Sequence, residues 1–182
     1  TISDQLITVN GAITVDNSNL LAATTTGKVT ATIATTETVT ELATLSADGG
    51  TNDLTIAIRS DDATASTAAQ LNTINDATAV AVNLTNVTAL ASSSLTDLGT
   101  LATAIGNSEF SNATGLTTIA VSDSTIDATT LATRIDSYDT INGGSATTGM
   151  TLASGATINV DSGEITAMLA DETAGRLTIS DQ

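Results

Sequence analysis

The 182-residue sequence lacks most of the residue types on which catalytic and metal chemistry depends. It has no cysteine, histidine, tryptophan or proline, and it has only one phenylalanine, Phe110, and one tyrosine, Tyr138. Without cysteine there are no disulfides or thiolates, and without cysteine and histidine the usual zinc sites cannot form. A serine or threonine nucleophile would have no histidine to act as its base. We therefore expect that the chain is not an enzyme.

Basic residues are also scarce, which argues against nucleic acid as a partner. Against 20 Asp and Glu there are four bases, Lys28, Arg59, Arg134 and Arg176, and the formal net charge is −16. Phosphate binding requires clustered Lys and Arg, and binding of single strands adds aromatic platforms. No run of 18 or more apolar residues and no basic leader is present, so the sequence predicts neither a membrane span nor a signal peptide. We expect the export signal to lie elsewhere in a longer chain.

The abundant residues are Ala, Val, Ile, Leu and Thr, and they recur in similar phrases. Strand-like openings such as "VTATI" from Val29, "LTIAI" from Leu54 and "MTLAS" from Met150 recur at intervals of 25 to 36 residues. A polar corner rich in Asp, Ser and Thr follows each opening, and a small turn precedes several of them. We expect the turn glycines to supply a positive φ before each strand; they are Gly27, Gly115, Gly149 and Gly175.

Short helices are predicted between the strands, because Leu and Ile recur there at spacings of three or four. Examples are the segments "TETVTELATL" to Leu45 and "SSSLTDLGTLATAI" to Ile105. Units of this kind bury their apolar faces by stacking. The predicted fold is therefore a repeat solenoid of parallel β-sheet coils that each carry a short helix, either a β-solenoid or a leucine-rich-repeat-like α/β solenoid. The six expected coils are 1–28, 29–53, 54–79, 80–115, 116–149 and 150–176, and 177–182 starts the next period.

One pentapeptide, "TISDQ", occurs twice, with a spacing of 177 residues. The first copy consists of Thr1, Ile2, Ser3, Asp4 and Gln5, and the second consists of Thr178, Ile179, Ser180, Asp181 and Gln182. A chance match of this length is improbable, so we interpret it as a repeat junction. The chain is then one period of a tandem array whose partners are further copies of itself. Whether these copies share one polypeptide or are separate subunits is left open.

Three longer phrases resemble a known class of repeats. They are "AATTTGKVTATI" from Ala22, "STAAQLNTINDATAVAV" from Ser66 and "LATRIDSYDTI" from Leu131. This wording resembles the repeats of giant secreted cell-surface and fibre proteins of bacteria, of the marine cyanobacterial type. The resemblance implies an extracellular or cell-surface location, export by a one-step secretion route and a structural or adhesive role. It implies no catalytic residues.

Calcium is the one cofactor that the sequence suggests. Five aspartates follow strand-like phrases at similar positions, and oxygen-rich corners suit this hard cation; they are Asp16, Asp61, Asp62, Asp123 and Asp161. We prefer the alternative that they cap the N-termini of the short helices. The segment "DGGTND", 48–53, partly resembles a calcium-binding nonapeptide, but a plain turn is preferred. Thr-x-Thr spacings suggest ice binding, and ordinary strand-forming threonine is preferred there.

The function predicted from the sequence is structural. We expect a repeat segment of an extracellular filament, matrix or surface-layer protein that acts by end-to-end stacking of its coils. The alternative is an adhesive or ligand-binding module on a surface stalk, with polysaccharide, calcium or ice as its ligand. Nucleic acid and a membrane span are not expected.

Overall fold

The computed structural model describes residues 3–47, 51–144 and 148–179 of the chain. Within these ranges the chain alternates between eleven short strands and six helices. The strands are β1 (Ile7–Ile13), β2 (Val29–Ile33), β3 (Asp53–Thr55), β4 (Val82–Asn83), β5 (Ala89–Ser93), β6 (Phe110–Ser111), β7 (Thr118–Val121), β8 (Thr125–Asp127), β9 (Gly149–Leu152), β10 (Thr157–Asn159) and β11 (Leu177–Thr178). The helices are α1 (Val15–Thr24), α2 (Val39–Leu42), α3 (Ala68–Asp76), α4 (Leu95–Gly106), α5 (Ala128–Ile141) and α6 (Ile165–Thr173).

The strands form four separate, short and entirely parallel sheets. Their orders are β1-β2-β3, β4-β6, β5-β7-β9-β11 and β10-β8. A single isolated bridge, Ala57 with Asn83, links the segment after β3 to β4. Parallel neighbours need a crossover connection, and the short helices between the strands supply it in most cases. The chain is therefore a small α/β domain.

Alternation of apolar and polar residues decides which face of each strand is buried. In β2, Val29, Ala31 and Ile33 are buried, while the threonines between them face outward. In β1 the alternation is interrupted at Gly11, which has φ +96, and the register with β2 shifts between Thr8 and Ala12. Such a bulge at an edge strand bends the strand locally.

Side-chain caps begin five of the helices. In each case the side chain of the residue before the helix accepts a hydrogen bond from a backbone N–H in the first turn; these residues are Thr14, Thr38, Thr67, Ser94 and Asp127. At α2 the cap is reciprocal, because the Glu41 carboxylate accepts from the N–H of Thr38 at 2.7 Å. The Thr38 hydroxyl donates to the same carboxylate, and the two hydrogen bonds from Thr38 together lower the pKa of Glu41. The polar corners of the sequence are thus helix starts.

The core is aliphatic and lies between the sheets and the helices. Leu71 and Ile74 of α3 and Leu98 and Leu101 of α4 are completely buried. Two aromatic side chains also belong to the core: Phe110 of β6 is buried, and Tyr138 of α5 is completely buried and donates a hydrogen bond to the carbonyl oxygen of Leu98 at 3.1 Å. Neighbouring helices pack side by side along the chain, α2 on α3, α3 on α4 and α4 on α5.

The predicted solenoid of six coils is wrong. The strand-like phrases that suggested successive coils do not all lie in one sheet: "VTATI" and "LTIAI" contribute β2 and β3 of one sheet, whereas "MTLAS" contributes β9 of another. Part of the difference arises in the segment 80–115, which contains β4, β5 and β6. There β4 pairs with β6, whereas β5 pairs with β7 of the next segment, so the strands of this one segment belong to two different sheets. Four separate sheets replace the closed coils of a solenoid.

The predicted conformation of the turn glycines is confirmed at one position only. Gly175 has φ +74 and ends the turn before β11. Gly27, Gly115 and Gly149 do not have a positive φ, so that prediction is wrong for them. Gly149 lies inside β9, and Gly27 is needed for a different reason, which is the close approach of another backbone segment.

Candidate assembly surfaces

The five aspartates predicted as calcium ligands do not come together in one site in the described part of the chain. Asp16 is exposed in the first turn of α1, Asp161 is exposed between β10 and α6, and Asp61 is exposed in a 3-10 turn, Ser60–Asp62. Asp62 is buried and Asp123 is half-buried, and both are engaged in hydrogen bonds. Over the ranges 3–47, 51–144 and 148–179, no three acidic side chains form a group that could hold a metal ion. Calcium binding therefore stays a prediction.

Asp62 and Asp123 cap helices that precede them in the chain. A carboxylate oxygen of Asp62 accepts from the N–H of Val39, the first residue of α2, at 2.8 Å. Asp123 accepts in the same way from the N–H of Leu95, the first residue of α4, at 2.7 Å. Each cap thus joins two segments that are more than 20 residues apart, which a local sequence pattern does not reveal.

Replacement of Asp62 by alanine is expected to lower the free energy of unfolding by about 1–3 kcal/mol, because the buried N–H of Val39 loses its acceptor. The same change also removes the ion pair with the Nε of Arg59, at 2.9 Å. The matched control is Asp61→Ala, at an exposed neighbour, with an expected change within about 0.5 kcal/mol. Urea unfolding followed by circular dichroism measures both. Equal losses for the two variants would show that Asp62 is not a cap.

The helices α1 and α6 lie at opposite ends of the row of helices. The Asn19 side chain of α1 donates to the carbonyl of Thr44 at 2.9 Å and accepts from the N–H of Ser46 at 2.8 Å, which holds α1 beside the segment after α2. At the other end, Thr129 of α5 donates to the carboxylate of Glu164, which precedes α6. A cavity of about 250 Å³, lined mainly by apolar side chains, remains between α5 and α6. Each of the two end helices thus has a neighbouring helix on one side only in the described part of the chain.

The strands at these ends also have open edges. In the described ranges, β1 pairs with β2 alone, β11 pairs with β9 alone and β10 pairs with β8 alone. An unpaired edge presents a row of free backbone N–H and C=O groups to a further strand. Each end therefore offers backbone hydrogen-bonding groups next to a helix.

Exposed large hydrophobic side chains are concentrated at the same two ends. Among the described residues there are four: Leu6 before β1 is 78% exposed, Leu20 of α1 is 63% exposed, and Ile165 and Leu169 of α6 are 42% and 48% exposed. We name Leu6, Leu20 and the edge of β1 the first end surface, and Ile165, Leu169 and the edge of β11 the second end surface. Apolar patches placed this way are typical of protein–protein contacts.

The two ends are built from similar sequences. The segment "LLAATTTGKVT", 20–30, runs through the end of α1, a turn and the start of β2, and "MLADETAGRLT", 168–178, runs through the same elements at α6 and β11. In each segment a base follows the turn glycine. Lys28 forms an ion pair with Asp53 at 2.8 Å, and Arg176 forms one with Asp139 at 2.9 Å. Only the second of these pairs includes a buried carboxylate.

The first copy of the repeated pentapeptide makes specific contacts with the turn after α1. Asp4 has φ +67, and its carboxylate accepts a hydrogen bond from the Thr26 hydroxyl. The carbonyl oxygen of Gln5 accepts from the Thr25 hydroxyl at 2.7 Å. A Cβ atom on Gly27 would lie 2.2 Å from this same carbonyl oxygen, so a residue with a side chain does not fit there unless the backbone shifts. Ser3 is exposed and lies beside Asp4 in the turn that precedes β1.

The second copy of the pentapeptide begins in β11. Thr178 is exposed and pairs with Thr151 of β9, and Ile179 is partly buried against the core. Five junction residues lie outside the described ranges; they are Thr1, Ile2, Ser180, Asp181 and Gln182. The first three residues of the predicted "DGGTND" turn, 48–50, also lie outside them. The repeat itself was evident from the sequence, whereas the contacts of its first copy with the turn around Gly27 were not.

The comparisons with known proteins give no relative. No protein family model matches the chain, no curated protein matches it, and no solved structure matches it. No helix in the described ranges combines the length and the apolar character needed to cross a membrane. What the chain does therefore has to be inferred from its own geometry.

Proposed function

We propose that the chain is a structural repeat segment of an extracellular filament, matrix or surface-layer protein, in which copies join end to end. The observation that carries the proposal is the position of the exposed apolar side chains. Leu6 and Leu20 lie at one end and Ile165 and Leu169 at the other, each beside an open strand edge. A contact between two different ends is heterologous, and such contacts build open chains of subunits when the rotation between neighbours does not close a ring.

The charge of the chain supports an extended assembly over a compact one. With a formal net charge of −16, neighbouring chains repel one another wherever apolar contacts and backbone pairing do not compensate. Association is then confined to the end surfaces, and the sides remain solvated. The extracellular location rests on the resemblance to secreted surface repeats and on the acidic, cysteine-free composition.

Charged substitutions at either end are expected to weaken association by about tenfold or more, because burying an unpaired carboxylate is costly. The variants are Leu20→Asp at the first end surface and Leu169→Asp at the second. The matched control is Thr100→Asp, which places the same charge on an exposed position of α4, away from both ends. Sedimentation velocity over a range of concentrations, at low and at raised ionic strength, measures the association.

Mixing the two variants gives a sharper test of the end-to-end geometry. A Leu20→Asp copy keeps an intact second end surface, and a Leu169→Asp copy keeps an intact first one. The mixture is therefore expected to form dimers of one copy of each variant and no longer species. If the unmodified chain stays monomeric up to millimolar concentration, or if the mixture polymerises, the proposal is wrong.

A further inference from the structure

The turn after α1 forms a socket for a peptide. We define this socket as Thr25, Thr26, Gly27 and the carbonyl of Lys28. It holds the first pentapeptide through the side chain of Asp4 and the carbonyl of Gln5. It also holds the strand that follows, because the N–H of Ile7 donates to the Lys28 carbonyl at 2.9 Å. The socket therefore contacts a segment that enters a strand, at the first end surface.

Two features make the socket fit the aspartate of the pentapeptide and the backbone carbonyl that follows it. The Thr26 hydroxyl donates to the carboxylate of Asp4, and Asp is one of the few residues that adopt the left-handed φ of +67 found there at low cost. The absence of a side chain on Gly27 allows the next carbonyl to approach. An aspartate in the left-handed conformation, followed by a residue whose carbonyl oxygen accepts from Thr25, thus fits the socket.

The same pentapeptide recurs at the second end surface. Its first residue, Thr178, is the last residue of β11, and Ile179 packs against the core. Asp181 follows Ile179 by two positions in the sequence. We propose that the second pentapeptide, Thr178 to Gln182, binds the Thr25–Lys28 socket of a second copy. This inference rests on the proposed end-to-end assembly and specifies its contact: the occupant of the socket at each junction is the pentapeptide of the preceding copy.

The inference applies both to separate subunits and to copies joined in one polypeptide. In a continuous chain, Gln182 would be followed by the next copy's equivalent of Leu6, and the socket would hold the junction directly. In separate subunits the two pentapeptides compete for one socket, as in domain swapping. The first pentapeptide has the advantage of a high effective concentration. Weakening its hold is therefore expected to favour exchange between copies.

Disulfide trapping tests the inference cleanly, because the chain contains no cysteine. The two full-length variants Thr26→Cys and Asp181→Cys are mixed under mild oxidation, and the cross-linked heterodimer is quantified on a non-reducing gel. The control mixture replaces Thr26→Cys with Thr85→Cys, at an exposed turn position away from both ends. A Thr26→Cys variant that also carries Asp4→Ala has a first pentapeptide with weaker hold on the socket, because alanine adopts the left-handed φ of +67 at position 4 at a higher cost than aspartate does.

We expect the Thr26→Cys and Asp181→Cys mixture to cross-link about tenfold faster than the control mixture, and Asp4→Ala to raise the rate further. Association without this preference, as seen by sedimentation, would overturn the socket inference and leave end-to-end assembly standing. A chain that neither associates nor cross-links above the control would overturn both. A lower rate with Asp4→Ala would show that the two pentapeptides do not compete, and it would also overturn the inference.

Discussion

Replacing Arg176 with methionine is expected to lower the free energy of unfolding by about 3 kcal/mol, the cost of leaving buried carboxylates without their partner. Arg176 lies 2.9 Å from the carboxylate of Asp139 and also forms an ion pair with Asp171. Both aspartates are buried, and the hydrogen bond with Asp139 is the main reason why the pKa of Arg176 is raised. Methionine keeps most of the length of the side chain, so the loss reports the charge.

The matched control is Lys28→Met, the equivalent substitution at the other end of the chain. Lys28 and Asp53 are 2.8 Å apart, but both side chains are partly exposed, at 46% and 32%. Exposed pairs of this kind contribute about 0–1 kcal/mol. Guanidinium chloride would screen both pairs, so urea unfolding followed by circular dichroism is the measurement. Losses of similar size for Arg176→Met and Lys28→Met would mean that the buried carboxylates do not depend on Arg176.

The ion pairs of Arg176 also explain how the second end surface is held. Asp139 belongs to α5, Asp171 belongs to α6, and Arg176 itself directly precedes β11. One guanidinium group thus joins three elements, beside a cavity that leaves α6 incompletely packed. The end surface is therefore positioned by charge as much as by apolar contact, unlike the aliphatic core.

The helices were the part of the fold that could be predicted from sequence. They depend on signals within about ten residues: Leu or Ile at spacings of three or four and, at five of the six helices, a Ser, Thr or Asp cap. In α4, for example, Ser94 caps the helix and Leu98 and Leu101 are buried as that spacing predicts. Both helical segments given as examples, the one to Leu45 and the one to Ile105, contain a helix in the structure, α2 and α4. Local chemistry was sufficient for them.

The arrangement of the strands could not be predicted in this way. Apolar alternation indicates which face of a strand is buried, but it does not indicate which strand is its neighbour. The phrases that yield β2 and β9 look alike, yet β2 pairs with β1 and β3 while β9 pairs with β7 and β11. Treating similar phrases as successive coils of one sheet therefore led to the wrong fold.

The candidate assembly surfaces were predicted in part. The repeated pentapeptide was visible in the sequence, but its contacts with Thr25 and Thr26 involve residues about 20 positions away. The adjacent leucines Leu20 and Leu21 were a usable signal, since two neighbouring helix positions do not point in the same direction. Leu20 is the exposed one and Leu21 is partly buried against the core. Exposure at an end of the fold depends on the strand and helix order and cannot be derived from either residue alone.

Truncation of Tyr138 to alanine is expected to cost about 3–5 kcal/mol, because it opens a cavity in a core that has few large side chains. Tyr138 is completely buried between α5 and α4, and its hydroxyl donates to the Leu98 carbonyl at 3.1 Å. Tyr138→Phe is the matched variant. It keeps the ring and removes only the hydrogen bond, so its expected cost is about 0.5–1.5 kcal/mol. Equal costs for the two variants would show that the ring is not a core anchor.

The wild-type chain offers a direct spectroscopic check of the same site, because Tyr138 is its only tyrosine and it has no tryptophan. Burial raises the pKa of Tyr138 above the usual value of 10.0, with a smaller opposing effect from Arg134. A folded-state pKa above the unfolded one means that the stability contributed by the neutral phenol is complete below about pH 10 and is lost as the pH rises further. Phenolate absorbance should therefore appear only as the chain unfolds in alkali. A phenol that ionises at pH 10 while the circular dichroism is unchanged would contradict its place in the core.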